Sequence, residues 1–177
     1  PTACHAPLAQ GAKISTIDTN PEDIRAVTPY GFKVYYGDGA RHEILHAAGA
    51  HHARAIIICV DDKKAATRIV ESTRHYCPQV KLVVRAFDRE HALELVKHDA
   101  DYIVRDTFEA ALLLGGQAVL TLGASEHEAD AVIEEVRKRD AERFALETAG
   151  GLFAGRALVL GNIERIDPPN HEARDAQ

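Results

Sequence analysis

The chain has 177 residues, 46% of them hydrophobic and 27% charged, with a formal net charge of −6 and three cysteines. That length holds about one domain with a sizeable core, and the composition is too apolar for a disordered polymer. The acidic balance is spread without a basic block, which argues against nucleic acid as a partner, and the longest purely apolar run, 55–60, is far short of the roughly 20 residues of a membrane-spanning helix.

Short β-branched runs alternate with helical patterns in chain order. The strands are predicted in KISTID (13–18), KVYYGD (33–38), AIIICVD (55–61), KLVVRAF (81–87) and DYIVRD (101–106). The segments between them are about 14 to 20 residues long, enough for a right-handed crossover each time. The strand runs are apolar at several successive positions, as in strands covered on both faces. The expected fold is therefore α/β, a Rossmann-like doubly wound parallel sheet.

Upstream, PTACHAPLAQ reads as the end of a helix closed by Gly11, although Pro7 disfavours an intact helix there. The sheet is expected to be N-terminally truncated, since no strand followed by G-x-G-x-x-G precedes it. Asp61 or Asp62 is placed to cap a helix through Tyr76, and Asp88 one through His98. Asp106 with Glu109 forms a capping-box pattern ahead of a helix reaching about Leu122. Ser125 and Glu128 repeat the device and open a long helix. Ala129, Val132, Ile133, Val136 and Phe144 lie on one stripe of it, and Glu134/Lys138 and Glu135/Arg139 form i,i+4 pairs.

Because that helix follows the last strand, its stripe must pack outside the domain or on a partner. The boundaries expected are 1–124 for the sheet domain, 125–147 for the helix and 148–177 for a glycine-rich, then acidic tail, disordered beyond Asn162. Cys59 reads as a buried thiol within its strand. The odd number and scatter of Cys4, Cys59 and Cys77 suggest a reducing cytoplasm.

Residues 42–52, HEILHAAGAHH, fit the zinc-protease spacing H-E-x-x-H-x-x-G-x-x-H, with His42, His46 and His52 as ligands and Glu43 as base. The surroundings oppose that reading. The chain contains no methionine for the turn that accompanies such sites. The helix, from about Arg41 to Ala48, spans two turns between a strand and Gly49, and Ile44, Leu45 and Ala48 are expected to face the sheet. No metal is expected, and the histidines are assigned to a solvated helix surface.

Parallel sheets bind ligands beyond the carboxyl ends of their strands. Asp18, Asp38 and Asp61 close three successive strands there, where one acid usually holds ribose hydroxyls. Arg85, near the end of the fourth strand, suits either an anionic ligand or a structural salt bridge, and Arg41 has the same two readings.

The series KISTID, YYGDGAR, ILHAAGA, AIIICVDD, LVVRAFD and RDTFEAALLLG resembles the RCK or TrkA-N nucleotide-binding regulatory domain of potassium channels and transporters. It is most similar to the version in Kef-type glutathione-gated potassium/proton antiporters, over about residues 8–147. The G-D-[AG]-x-R, Leu and A-G-A pattern is met by Gly37, Asp38, Gly39, Arg41, Leu45, Ala48, Gly49 and Ala50. The resemblance implies that Asp18 holds an adenosine ribose, that Asp38 and Gly39 line an adenine pocket with Arg41 nearby, and that Asp61 flanks the nucleotide, AMP or NAD(H). It implies that Arg85 looks toward an anionic glutathione site, and that the helix from Ser125 to Glu147 crosses to a second protomer in a homodimer. It further implies a non-enzymatic regulator of a membrane antiporter domain at the cytoplasmic side of a bacterial inner membrane. The alternatives are the Rossmann half of an NAD-dependent oxidoreductase or epimerase, and a zinc module through the histidines.

Overall fold

In the computed structural model the described residues are 2–160. They divide into two compact units, with the boundary between residues 110 and 111. The first contains all five strands: β1 (Ser15–Asp18), β2 (Lys33–Tyr36), β3 (Ala55–Ile58), β4 (Lys81–Ala86) and β5 (Tyr102–Arg105). Every expected strand is present, each shorter than its predicted run, and all pairings are parallel.

Among the described residues β1 pairs with β2, while β3, β4 and β5 form a second sheet in that order. In the doubly wound order a central strand separates these two groups. Among the described residues no strand pairs with the inner edges of β1 and β3. Side chains still join the two sheets, since Ile17 from β1 and Ile56 from β3 pack against one buried cluster of Leu45, Ala50, Cys77 and Val80.

The crossovers are built from short helices with identifiable ends. After α1 (His5–Ala9), Gly11 turns the chain at φ +76°. Pro7 is accommodated because it sits in the first turn, where a helix makes no use of the backbone N–H. Asn20 caps α2 (Pro21–Val27) by accepting from Glu22 N at 2.9 Å. Next come α3 (His42–Ala47), closed by Gly49 at φ +87°, and α4 (Lys63–Tyr76), capped by Asp62, which accepts from Ala65 N. Asp88 caps α5 (Arg89–Lys97) through His91 N at 2.9 Å.

Coverage of the second sheet is one-sided among the described residues. Ile58, Leu82, Val84 and Ala86 are buried, whereas Ile57, Tyr102 and Val104 on the other face are exposed. The expectation of burial on both faces therefore fails for these strands. Cys59 is likewise exposed, because β3 ends at Ile58 and the thiol lies in the loop beyond it; the buried cysteine is Cys77.

α6 (Asp106–Thr121) takes Asp106 into its first turn instead of leaving it as the cap. In the second unit α7 (Glu126–Gly150) begins with the expected capping box: the Ser125 N–H donates to Glu128 Oε2 and Glu128 N–H to Ser125 Oγ. Part of its stripe is covered within this unit. Ala129 is buried, and a Cβ at Gly116 of α6 would run into Ile133. α7 continues to Gly150, and α8 (Arg156–Leu160) follows. Gly155 lies tight against Arg143 and Glu147, and Arg143 Nε donates to the buried Glu147 carboxylate at 2.8 Å. The tail expected beyond Asn162 lies outside the described residues.

Candidate functional site

The carboxyl ends of the strands carry two separate constellations. At the first sheet, parallel register places Asp18 opposite Tyr36, and the next amide, Gly37 N–H, donates to Asp18 O at 2.9 Å. Asp18 and Asp38 thus lie at the ends of adjacent strands, Asp38 two residues beyond the register partner of Asp18. Each carboxylate accepts from the amide two residues ahead, Asp18 Oδ1 from Asn20 N and Asp38 Oδ1 from Ala40 N, both at 2.8 Å. Such turns fix the side-chain direction and leave acceptor capacity for a ligand's hydroxyl or amine donors. Among the described residues no cation lies within salt-bridge distance of either carboxylate.

Gly37 and the turn after it hold this edge in place. Gly37 has φ +153°, a conformation L side chains rarely adopt, and a Cβ there would come within 2.7 Å of Ile44 Cδ1 in α3. The glycine lets strand and helix approach closely. Ser72 Oγ of α4 donates to Ala40 O at 2.6 Å, and Arg41 N–H donates to Asp38 O at 3.0 Å. Gly39 rests on Ile69 with ordinary space for a methyl group. Arg41 is exposed and faces Glu43 at 3.7 Å, so it is not drawn into a structural network.

At the second sheet Arg85 stands between two carboxylates. It donates to Asp61 Oδ1 in a short contact, and its Nη1 is 3.8 Å from Asp106 Oδ2. The Asp61 hydrogen bond holds the guanidinium proton more firmly than usual. Register puts Arg85 beside Val104 on the open face of the sheet. Sequence reasoning left Arg85 undecided between salt bridge and ligand site. The salt bridge is present, but with Asp61 97% exposed and Arg85 31% exposed it is an accessible one. Asp106 was missed as its second partner; its position at the end of DYIVRD was the available signal.

The predicted site residues therefore fall into two groups, Asp18, Asp38, Gly39 and Arg41 at one edge and Asp61 with Arg85 at the other. The histidines assemble differently from the protease spacing. His42 and His46, one turn apart on α3, have ring centroids 6.0 Å apart, and the third ring against them belongs to His51, at 6.0 and 5.2 Å. His52 is not in this cluster. Glu43 is an exposed partner of Arg41.

The family model described as the TrkA-N domain matches residues 4–106. A glutathione-regulated potassium-efflux system protein of Haemophilus influenzae is 39% identical over 148 residues, covering 84% of this chain and 24% of that protein. The corresponding protein KefC of Cronobacter sakazakii is 34% identical over 122 residues, covering 69% and 20%. The chain thus spans about a quarter or less of the length of these curated relatives. Among solved structures, the Kef CTD of Shewanella denitrificans in AMP bound form superposes with a TM-score of 0.76 at 33% identity, covering 84% of this chain and 91% of that one. The TrkA-N domain of inner membrane protein ybaL from Escherichia coli gives a TM-score of 0.60 at 21% identity, covering 70% and 87%, a likeness of fold.

Proposed function

The chain belongs to the TrkA-N domain family, and from that membership we propose that it is a cytosolic regulatory domain of a potassium efflux (potassium/proton antiport) system, gating transport through an adenine nucleotide and glutathione. The observation that carries the reading is Asp18 and Asp38 at the ends of adjacent strands, each oriented by the backbone amide two residues ahead and, among the described residues, with no cation within salt-bridge distance. A ribose diol presents two hydroxyl donors, which a fixed carboxylate such as Asp18 accepts. Asp38 and Gly39 then line the adenine, with Arg41 and Asp61 flanking the nucleotide, which is AMP or NAD(H). The AMP bound form of the Shewanella relative supports an adenine nucleotide.

Arg85 is the candidate contact for the anionic tripeptide. Its open position on the sheet supports that role, and binding requires it to exchange a carboxylate of this chain for one of the ligand. No covalent step is involved; regulation needs only that the ligands favour one state of the attached transporter, a coupling of about 1 to 3 kcal/mol. No helix among the described residues is long and apolar enough to cross a membrane, so the pore belongs to the antiporter domain that this part regulates at the cytoplasmic side of the inner membrane. In the second unit Leu113, Leu114 and Leu122 are 75%, 74% and 88% exposed, and Val136 and Leu146 of α7 are also exposed. These apolar surfaces support a homodimer through α6 and α7, checked by sedimentation velocity; a monomer at every concentration would remove that part.

Calorimetry of the 177-residue chain with AMP, NADH and glutathione tests the ligand reading. An adenine nucleotide is expected to bind, and Asp18→Ala to weaken it about tenfold or more, as for a lost hydrogen bond to a charged group, while leaving the glutathione heat unchanged. Absence of heat from all three ligands overturns the reading.

A further inference from the structure

The buried histidine His91 belongs to neither strand-end constellation, and its surroundings carry an inference that does not depend on the ligand reading. We propose that His91 is a proton-operated catch: while neutral it closes the turn between β4 and α5, and uptake of one proton on its ring opens that turn.

Phe87 and Asp88 connect β4 to α5, and His91 stands in the first turn of the helix, 2% exposed. Two bonds close the turn onto it. The backbone N–H of His91 donates to Asp88 Oδ1 at 2.9 Å, and the N–H of Phe87 donates to His91 Nδ1 at 3.3 Å. An imidazole nitrogen that accepts carries no proton, so the ring is neutral and its single proton sits on Nε2. That second nitrogen is buried and has no hydrogen-bond partner among the described residues. A buried donor without a partner costs free energy, and an apolar side chain of similar size would fill the space without that cost. Packing alone therefore does not account for an imidazole here, whereas a titratable acceptor for the Phe87 amide does.

A further proton can go only to Nδ1, where the Phe87 N–H already points. Two donors would then face each other, and a charged ring would lie in a space closed to water. The groups around the ring act in both directions. Burial resists the charge most and holds the pKa below the ordinary histidine value; the Glu94 and Asp88 carboxylates and the Lys63 backbone favour the charged ring, and the Lys63 ammonium opposes it. Asp88 cannot swing round to neutralise the ring without giving up what it holds, because Oδ1 caps α5 and Oδ2 pairs with Lys63 Nζ. The turn must open for the proton to be held.

Opening reaches beyond the histidine. Phe87 O accepts from Thr107 Oγ1 at 3.1 Å, and Lys63 Nζ lies 5.0 Å from the centroid of the Phe87 ring. Thr107 adjoins Asp106, and Phe87 lies two residues beyond Arg85, so both sides of the Arg85–Asp106 contact are joined to the same turn. Acidification is thus felt at the second strand-end edge through the backbone, with no protonation of its carboxylates.

Because the folded value is depressed, the unfolded chain binds the proton first. The stability that neutral His91 contributes is complete above about pH 6.5, the unfolded value, and is lost as pH falls from there through the folded value. The test compares the 177-residue chain with His91→Gln, which keeps an acceptor for the Phe87 amide but does not titrate, by urea unfolding from about pH 7.5 to about pH 5. The unfolding constant of the parent is expected to rise relative to that of the variant by up to about tenfold per pH unit below pH 6.5, the slope of one proton; parallel curves overturn the proposal. If the variant does not fold, the parent chain decides alone. Its hydrogen exchange, corrected for the intrinsic rate, is expected to quicken severalfold on acidification at the amides of residues 87–91 while β1 keeps its protection. Unchanged protection at 87–91, or an equal loss in β1, overturns it.

Discussion

The two strand-end edges of the first unit use the same residue types in opposite ways. At β1 and β2 the carboxylates of Asp18 and Asp38 are held by backbone amides, with no cation within salt-bridge distance among the described residues, so their direction is set by the chain itself. At β3 and β4 the carboxylate of Asp61 is bound to Arg85, with Asp106 as a second partner. The first edge is preorganised to accept donors. The second is an internal ion pair, and in the proposed function its cation would exchange one carboxylate for another to hold an anion. A site built on fixed turns tolerates little change in its backbone, whereas such a pair is tuned by its own strength.

The largest expected effect comes from breaking the backbone of the first edge. Gly37→Val adds a side chain at φ +153° against Ile44, combining backbone strain with overpacking. A loss of about 2 to 4 kcal/mol is expected in urea denaturation, with nucleotide binding lost in parallel. Gly49, also left-handed at φ +87°, has nothing within 4 Å of a Cβ, so Gly49→Ala should cost only about 1 kcal/mol. Equal effects at the two glycines would show that conformation alone, and not the approach of β2 to α3, matters at Gly37.

An intermediate effect is expected at the opposite end of the second sheet, where a carboxylate is latched for good. Asp101, ahead of β5, accepts from Lys81 Nζ at 2.6 Å and Leu82 N at 2.9 Å and pairs with Arg74. Lys81 first, then the Leu82 amide and Arg74, hold its carboxyl far below the usual carboxylate range. A depressed folded value means that the unfolded chain binds the proton first. The stabilisation is therefore complete above about pH 4, the unfolded value, and is lost as pH falls from there through the folded value. Asp101→Asn should cost about 1 kcal/mol at neutral pH, and the gap between the two proteins should narrow on acidification. Parallel stability curves below pH 4 would deny Asp101 this role.

Much of this arrangement was legible in the sequence, for local reasons. Strand positions follow from β-branched runs, and the Asp62, Asp88 and Ser125 ends follow from side chains that reach backbone amides three residues away. What escaped depends on distant partners. The division into two sheets is a matter of which edges pair, and KISTID and AIIICVD read alike whether or not they are neighbours. The exposure of Ile57 and Tyr102 has the same origin, since an apolar run cannot state which face is covered. Asp106 acts on Arg85 from the end of the neighbouring strand, and Cys77 reaches His51 from the far end of α4. The histidine spacing was visible, but its third ring was assigned to His52 because a motif counts positions, while the turn after Gly49 decides which side chain faces back.

The smallest effect is the one that separates the two edges most sharply. Asp61 is almost entirely exposed, so removing its charge should leave the melting temperature unchanged. It should nevertheless loosen the hold on Arg85, leaving Asp106 at 3.8 Å as the remaining carboxylate. Asp61→Asn is therefore expected to bind glutathione about twofold to fivefold more tightly, the scale of an exposed ion pair, with the gain shrinking in high salt. Calorimetry at two ionic strengths measures both. If affinity falls instead, Asp61 is itself a ligand contact and the second edge is preorganised like the first; if Arg85→Gln binds glutathione as well as the parent chain, the arginine is only a structural tie between β4 and its neighbours.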